Sequence, residues 1–599
     1  MTRKRALKIV LTFMLIGFAL AWLFSRGRNS SQPTVASLDG ADEAAVSTDE
    51  IVVDFKDDEP HDRIAALGER LGVTFVPSSG QFDVDEIYTA RTSNPAALLA
   101  ALRADPDVEA ADYQVEYSIP ETELAATEAA PGELEPHDPG FPNDPKFHLQ
   151  WHLDQIHMKG AWKRAQGEGV IVAVIDTGVA KVPDLAATEL VGGYNFVGNS
   201  DDATDDHGHG THVAGTIAQS TNNGVGVAGV AFKAKIMPIK VLSARGSGSV
   251  SGIAEGIRFA ADHGAKVINM SLGGPIASSV LSKAIDYAHQ KGVVVVCAAG
   301  NDGRGKVSYP AAYPHSIAVA STQFDETTTF YSNWGKEIDI AAPGGNTRVD
   351  QNGDGFPDGV LQNTVVPGDT KRNDYLWFMG TSMASPHVAG VAALVVGTGV
   401  TDPDAVEKIL KETAREPKSG RKDNQNRYGA GIIDAQAAVT KAQTTTGVAE
   451  LGIALALAGA ILWRLRRAGR LAHGLGAGGL ATMILGSSGL FFLPLLGLGT
   501  GWFFIHGLPS WDLAFGASAH GNPIAFSAAL PIVAALLFYG RKSLRGVIAG
   551  LSIGVAAHLF LRAGVRTMDV QWVPNALDAA WLGVNAFLSA AVGWAVLRK

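Results

Sequence analysis

The chain has 599 residues, which is too long for one hydrophobic core, so several domains are expected. Its formal net charge of -10 and the scatter of its basic residues argue against nucleic acid as a partner. Its single cysteine, Cys297, rules out an internal disulfide, so an exported domain must rely on other sources of stability, such as core packing or bound calcium.

The N-terminus has the pattern of an export signal. Four cationic residues between Arg3 and Lys8 precede an apolar run from Ile9 to Phe24. No small-residue cleavage pattern follows directly, because Ser25–Arg28 comes next. We therefore expect a retained signal anchor over residues 1–28, with a cleaved signal peptide as the alternative.

Residues 49–120 predict a small α+β domain. Strand patterns occur at 51–55, 72–75, 85–89 and 108–113, and helical patterns at 63–71 and 94–104, the second with Asn94 as its N-cap. The resulting order, strand-helix-strand-strand-helix-strand, is that of the ferredoxin-like fold. Residues 121–145 are rich in Ala, Glu and Pro without an apolar period, which indicates a linker.

Residues 146–442 predict an α/β domain. Apolar runs alternate with helical patterns; the runs lie at 170–175, 235–242, 266–270, 293–299 and 316–320, and the helical patterns at 250–262 and 278–290. This alternation predicts a parallel sheet with helices on both faces.

Three short motifs in this domain supply the groups of a nucleophilic triad. Asp176 ends the apolar run Val172–Ile175, His209 begins a run of small residues, and Ser382 opens a helical pattern with Pro386 in its first turn. A serine hydroxyl needs a positioned base, and the base needs a carboxylate to orient it. Each residue alone is more often a cap or a surface residue, but the three together predict a triad.

The order Asp, His, Ser and the flanking residues resemble the subtilisin-like serine proteases over about residues 140–440. This resemblance implies that the domain has the subtilisin-like fold, a parallel sheet with helices on both faces. By residue type, His207 and His212 compete with His209 for the role of base. In the family the base precedes Gly-Thr-His, which selects His209.

The resemblance also implies the roles of the site residues. Ser382 attacks the peptide carbonyl to form an acyl-enzyme, His209 moves the proton, and Asp176 orients His209. Asn301, after the run 293–299, donates to the oxyanion. No cofactor takes part in the chemistry, and the expected substrates are proteins or peptides. The competing reading is a catalytically silent peptide-binding sensor or transport-associated membrane protein, against which the four intact residues count.

Substrate contacts and an inhibitor are implied in the same way. In the family, an extended peptide is held between two edges. One edge matches Ser271, Leu272 and Gly273, and the other matches Gly246, Ser247 and Gly248. Ser308 matches the wall of the specificity pocket. No acidic pocket floor is evident, so a medium or large apolar side chain is expected there. Residues 49–120 resemble the family's inhibitory propeptide, with 121–145 as the processing region; a small accessory domain is the alternative.

Two calcium sites are predicted as structural. The first is an EF-hand-type loop with oxygen side chains at Asp350, Asn352, Asp354 and Asp358. Its twelfth position is Leu361, which lacks the usual carboxylate, and a polar turn without metal is the alternative. The second resembles the family's stabilising loop at 222–227, with Asn223, Asp184 and Gln150 as its ligands.

Residues 447–599 predict a five-helix transmembrane domain. The apolar runs are 448–463, 475–498, 524–539, 547–561 and 579–597. Cationic clusters follow the first, third and fifth runs, so all lie on the side of the N-terminus, with Arg562 and Arg566 as exceptions. The sequence thus predicts a multi-pass protein of the cytoplasmic (inner) membrane. Its helices span the lipid bilayer, and its protease domain lies on the extracytoplasmic side. Gly486–Gly489 with His558 also has a superficial similarity to rhomboid intramembrane proteases, although too few spans precede it.

Overall fold

A computed structural model describes residues 46–56, 59–80, 87–119, 141–418, 425–493, 502–515, 522–565, 570–573 and 577–598. The predicted signal anchor and most of the predicted linker lie outside the described residues. The described residues form an N-terminal α+β domain, a central α/β domain and a C-terminal helical module.

The N-terminal domain has an antiparallel sheet with two helices. Its strands are β1 (Val46–Phe55), β2 (Val76–Pro77), β3 (Ile87–Arg91) and β4 (Val108–Ser118), and its helices are α1 (His61–Leu71) and α2 (Pro95–Ala104). The strands lie in the order β2-β3-β1-β4. The Asn94 side chain caps α2 by accepting a hydrogen bond from the Ala97 amide. The predicted strand at 72–75 begins later, because the left-handed Gly72 ends α1.

The central domain has a seven-stranded parallel sheet, as the sequence predicted. Its strands are β5 (Ile171–Asp176), β6 (Tyr194–Asn195), β7 (Lys235–Lys240), β9 (Val267–Met270), β10 (Val294–Ala298), β11 (Ser316–Thr322) and β12 (Ile340–Pro343), in the order β12-β11-β10-β9-β5-β7-β6. Successive residues of β5 enter two different cores, Val172 and Val174 one and Ala173 and Ile175 the other. Both faces of the sheet are therefore covered, which explains the continuous apolar runs.

Helices and two smaller strand pairs complete this domain. The helices are α3 (Trp151–Gln155), α4 (Met158–Trp162), α5 (His209–Ala218), α6 (Val250–Asp262), α7 (Ser279–Gln290), α8 (Thr381–Gly397), α9 (Pro403–Thr413) and α10 (Gln425–Tyr428). Strands β13 (Val360–Val366) and β14 (Asp369–Phe378) form a hairpin, and β8 (Ser247–Ser249) pairs with β4 of the N-terminal domain. Helix α8 is buried from Thr381 to Val396, because it crosses the centre of the core.

The described part of the C-terminal module is helical. Its helices are α11 (Ala435–Arg467), α12 (Gly476–Ser487), α13 (Ala529–Phe538), α14 (Arg545–Val565) and α15 (Asp578–Leu597). Among the described residues, three helices, Ala435–Arg467, Lys542–Val565 and Asp578–Leu597, are long and apolar enough to cross a membrane. Helices α12 and α13 have 12 and 10 residues, too few for a hydrocarbon layer of about 30 Å. A left-handed Gly489 follows α12, where the helical path stops.

Candidate active site and substrate cleft

Asp176 and His209 form a buried pair at the end of the sheet. Asp176 is the last residue of β5, His209 is the first of α5, and Oδ1 of Asp176 lies 2.8 Å from Nδ1 of His209. A carboxylate accepts only, so the hydrogen lies on Nδ1 and the lone pair on Nε2. Nε2 is buried and has no hydrogen-bond partner among the described residues. This is the tautomer that a general base requires.

Ser382 is the second residue of α8 and is fully buried. Its hydroxyl donates to the carbonyl of Ser271 at 3.3 Å, and the Ser271 hydroxyl donates to the Ser382 carbonyl at 2.8 Å. The serine is therefore held against one of the predicted substrate edges, at a helix N-terminus whose free N–H groups favour negative charge.

Asn301 lies beside the N-terminus of α8. Its Oδ1 accepts hydrogen bonds from the amide and hydroxyl of Thr381, at 2.9 and 2.7 Å. Its Nδ2 is buried and makes no hydrogen bond within the described residues. Two donors thus fix the carbonyl end of the amide, and the NH₂ end is available to a ligand. The sequence analysis assigned no role to Thr381, although this residue directly precedes the predicted nucleophile Ser382.

His207 and His212, which competed for the base role, have other surroundings. His212 stacks on Phe378 with ring centroids 4.3 Å apart, and its Nε2 lies 3.0 Å from the carbonyl of Val360. Burial lowers the pKa of His212 from 6.5 to about 3, which keeps the ring neutral. Burial also lowers the pKa of His207. The structure pairs only His209 with Asp176.

The predicted substrate edges lie on either side of one extended segment. Strand β4 pairs antiparallel with β8, with Tyr117 opposite Gly248 and Ser118 opposite Ser247. On the other side, the amide of Ser118 donates to the carbonyl of Gly273 at 3.1 Å, and the Gly273 amide donates back at 2.9 Å. The N-terminal domain therefore occupies the cleft as an added β-strand.

The remaining predicted residues line the same cleft. Leu272 is buried, and the carbonyl of Gly246 accepts from the amide of Ile119 at 2.9 Å. Ser308 packs against Gly300. A Cβ on Gly300, which has φ 103°, would lie 2.5 Å from the Ser308 hydroxyl. Only glycine fits this close approach between the strand end and the pocket wall.

Two carboxylates from other parts of the chain, rather than one, contact the predicted loop at 222–227. Asp184 accepts from the Asn223 side chain at 2.9 Å and from the Val227 amide at 2.9 Å. Asp144 accepts from the amides of Asn222 and Asn223 and was missed by the sequence analysis, because it lies in the predicted linker. Burial raises the pKa of Asp184 to about 7, and Asp144 adds to this rise.

Gln150, predicted as a ligand of this loop, makes backbone contacts instead. Its Oε1 accepts from the Ala228 amide at 2.7 Å, and its Nε2 donates to the Ala228 carbonyl at 2.9 Å. The donor set that fits a calcium ion here is the buried Asp184 with Asp144 and Asn223, since oxygen ligands and charge are what calcium requires.

The predicted EF-hand-type loop at 350–358 folds around its own carboxylates. Oδ1 of Asp350 accepts from the amides of Gly353 and Asp354, at 2.7 and 3.2 Å. Asn352 donates to Asp354 at 2.9 Å. Oδ1 of Asp358 is buried without a hydrogen-bond partner in the described part of the chain, and burial together with Asp350 and Asp354 raises the pKa of Asp358. An orphaned carboxylate oxygen beside two further carboxylates fits a calcium ion.

A parallel sheet covered by helices on both faces, with an aspartate at a strand end paired to a histidine at a helix start, is an architecture of α/β hydrolases. The profile described as the Subtilase family matches residues 167–431. Thermitase from Thermoactinomyces vulgaris is 43% identical over 260 residues, covering 43% of this chain and 86% of thermitase. The chain belongs to the subtilase family and is a subtilisin-type serine endopeptidase.

Other relatives agree on this domain. Subtilisin Savinase from Lederbergia lenta is 41% identical over 292 residues, 48% of this chain and 98% of that protein. The structure of fervidolysin from Fervidobacterium pennivorans, a keratinolytic enzyme related to subtilisin, has a TM-score of 0.54 at 26% identity, covering 69% of this chain and 64% of fervidolysin. Residues 451–599 match a profile described only as "Domain of unknown function (DUF5942)".

Proposed function

We propose that the chain is a membrane-anchored subtilase made as an inhibited precursor, in which Ser382 attacks, His209 transfers the proton and Asp176 orients His209. The observation that carries this proposal is the 2.8 Å contact between Asp176 and Nδ1 of His209, which leaves the lone pair of Nε2 free to accept a proton. Asn301, with its unpartnered Nδ2, supplies the oxyanion donor. Ser382 turns from the Ser271 carbonyl to His209 when substrate replaces the inhibitor.

The N-terminal domain acts as the inhibitor. Its contact with the protease is built like that of a bound product, with β4 as the added strand and the hydroxyl of the buried Tyr117 donating to the Ile276 carbonyl at 2.5 Å. Asp112 accepts from the Ser278 hydroxyl at 3.0 Å and from the Val280 amide at 3.1 Å at the N-terminus of α7. A carboxylate at a helix N-terminus is stabilised by the free N–H groups and the helix dipole.

A buried ion pair holds the same interface. Nη2 of Arg258, on α6, lies 3.1 and 3.2 Å from the two oxygens of Asp54, on β1. Both side chains are almost fully buried, so separating the domains leaves each charge without its partner until water reaches it. Maturation therefore requires cutting the chain after Ile119, within the linker predicted at 121–145.

The C-terminal module anchors the protease in a bilayer. Large apolar side chains on its helices face outward; they include Leu455, Leu536, Leu537, Phe560, Val584 and Phe587. Exposed apolar surface of this extent fits lipid rather than water. The end that carries Leu465, Leu544 and Leu597 lies beside the cationic clusters and away from the protease. By the positive-inside rule that end is cytoplasmic, and the protease is extracytoplasmic.

Calcium stabilises the mature domain in this proposal. Asp184, Asp144 and Asn223 hold one ion, and Asp350, Asn352, Asp354 and Asp358 hold the other. These ions neutralise carboxylates that are otherwise gathered in partly buried loops. Their role is structural, and no catalytic step passes through them.

Replacing the nucleophile tests the proposal as a whole. Full-length Ser382→Ala should not hydrolyse peptides and should run at precursor size, because the active site that the inhibitor blocks is the one that cuts it free. Ser282→Ala, which removes a hydroxyl on α7 away from the cleft, should mature normally. A Ser382→Ala protein that matures in a host lacking other proteases would contradict self-processing.

A further inference from the structure

A cluster of polar side chains lies where the helical module meets the protease domain. Glu450 of α11, Ser510 of the 3₁₀ segment Leu508–Phe515 and His558 of α14 line one cavity of about 70 Å³. These three side chains are 3%, 4% and 1% exposed. Ionisable groups buried among apolar helices are expensive, so they are candidates for a functional site by default.

The hydrogen bonds around His558 fix its tautomer. Nδ1 lies 3.0 Å from the carbonyl oxygen of Ser487, and a carbonyl only accepts, so Nδ1 carries the hydrogen. The lone pair on Nε2 then faces the hydroxyl of Ser510 at 3.4 Å. This distance is long for a hydrogen bond but within the range of a serine and its base before a ligand binds.

Glu450 completes the arrangement. Its Oε1 lies 3.0 Å from Nδ1 of His558, whose hydrogen is directed to the Ser487 carbonyl, and makes no hydrogen bond within the described residues. When Nε2 takes up a proton, the carboxylate stabilises the imidazolium ion that forms. A serine, a neutral imidazole and a carboxylate therefore stand in the order that nucleophilic catalysis uses.

The backbone near this cluster holds the imidazole in place. A Cβ on Gly507 would lie 2.0 Å from the Ser487 carbonyl and 2.7 Å from Nδ1 of His558, so only glycine fits. The hydroxyls of Ser487 and Ser488 donate to the carbonyls of Met483 and Gly489. The motif with a superficial similarity to rhomboid proteases thus supplies a carbonyl to the imidazole, and Ser510 supplies the hydroxyl.

We propose that Ser510, His558 and Glu450 form a second nucleophilic site, separate from the protease cleft, that cleaves carboxylic esters. Oγ of Ser510 bonds to the ester carbonyl carbon while its proton passes to Nε2 of His558. The carbon–oxygen bond to the alcohol breaks, and the alcohol leaves with that proton. Water then attacks the acyl group on Ser510, its proton passes through His558 to Oγ, and the carboxylic acid is released.

The depth of the cluster favours an ester as the substrate. In the topology proposed above, on which this step rests, Arg464 marks the cytoplasmic end of α11. Glu450 precedes Arg464 by about four helical turns, or about 21 Å of a hydrocarbon layer about 30 Å thick. The cluster therefore lies in the outer part of that layer, towards the level of the acyl-ester carbonyls of lipids. Phe491 and Ile505 give the cavity apolar walls.

The test uses the full chain in detergent micelles with Ser382→Ala as background, so that the first site is silent. Short and long alkyl fluorophosphonates, which phosphonylate activated serines with loss of fluoride, should label Ser510, as located by peptide mass spectrometry. Adding Ser510→Ala should abolish labelling, and adding His558→Gln should slow it at least tenfold. Adding Ser552→Ala, which removes a buried hydroxyl on α14 outside the cavity, should leave it unchanged.

Hydrolysis of p-nitrophenyl butyrate by the same proteins should depend on both Ser510 and His558. A folded protein that neither fluorophosphonate labels at Ser510 would overturn the proposal. So would ester hydrolysis that Ser510→Ala does not change. Hydrolysis of a peptide anilide but not of the ester would overturn the assignment to esters.

Discussion

Thr381 holds Asn301 through two hydrogen bonds, one from its amide at 2.9 Å and one from its hydroxyl at 2.7 Å, both to Oδ1 of Asn301. The residue next to the proposed nucleophile therefore orients the proposed oxyanion donor. Thr381 and Ser382 are neighbours in the first turn of α8. The proposed nucleophile and the proposed oxyanion donor are therefore both tied to that turn.

Thr381→Val should lower kcat about tenfold with a smaller change in KM, because the side chain keeps its shape and loses one of the two bonds to Asn301. Loss of an oxyanion donor outright costs about a hundredfold or more. Thr381→Ser should restore most of the rate. Thr398→Val, which removes a hydroxyl at the other end of α8, is the matched control. Equal kcat in wild type and Thr381→Val would mean that the hydroxyl does not position Asn301.

Asp112→Asn should weaken the grip of the N-terminal domain on the protease. The substitution removes a negative charge from the N-terminus of α7, and such a charge contributes up to about 2 kcal/mol in partly buried geometry. After cleavage, the N-terminal domain stays bound to the protease until the mixture is diluted. The protein concentration below which peptidase activity appears should be about tenfold higher for Asp112→Asn than for wild type. Asp105→Asn alters a carboxylate paired with Arg70 on the surface and should have no such effect. Identical dilution curves would remove Asp112 from the inhibitory contact.

Acid should destabilise the central domain through His212. Burial lowers the pKa of His212 from 6.5 to about 3 in the folded chain. Above pH 6.5 the imidazole is neutral in both states and its contribution to stability is complete. As the pH falls towards 3, the unfolded imidazole takes up a proton that the folded one refuses, and stability is lost. His212→Phe should therefore lower the melting temperature at pH 7 but flatten its decrease between pH 7 and 4; parallel curves would contradict this.

Calcium should raise the melting temperature by mass action on the folded state. Asp354→Ala should remove the part of the rise that belongs to the loop at 350–358, and Asp184→Asn the part that belongs to the loop at 222–227. Asp201→Ala, an exposed carboxylate outside both loops, should keep the full rise. A melting curve that is the same in calcium and in chelator would reject both sites.

Reporter fusions can decide the orientation in the membrane. A reporter active only outside the cytoplasm should be active after Ala442 and silent after Arg467, because Lys and Arg remain on the cytoplasmic side. The reverse pattern would place the protease in the cytoplasm and would also remove the argument for lipid esters at the second site.

The sequence predicted the groups whose chemistry depends on local context. Asp176, His209 and Ser382 each follow or open a run of small or apolar residues, so strand ends and helix starts could be placed. Thr381 and Asp144 were missed, because each acts on a partner about 80 residues away that no local pattern connects to it.

The predicted boundary of the helical module falls inside one helix. The change in composition at Thr446 predicted a break between 442 and 447, yet α11 continues through it. The hydroxyl of Thr446 donates to the carbonyl of Ala442 at 3.1 Å, which satisfies a polar side chain within the helix. The amino-acid composition changes where the helix leaves one environment for another, but the backbone hydrogen bonds of the helix continue through that point.

Helix α11 joins the two regions without a hinge. Its first turns, with Ala435, Ala438, Val439 and Ala442, belong to the main core of the protease, and its last residue is Arg467. A rod of 33 residues is about 50 Å long, so in the proposed topology the cleft stays at one height above the bilayer. In that topology another protease cannot release the domain by cutting a flexible linker between core and membrane, because cutting there would first require unwinding a helix that the core holds. The proposal therefore restricts the substrates to those that reach that height, from the membrane or from the space just outside it.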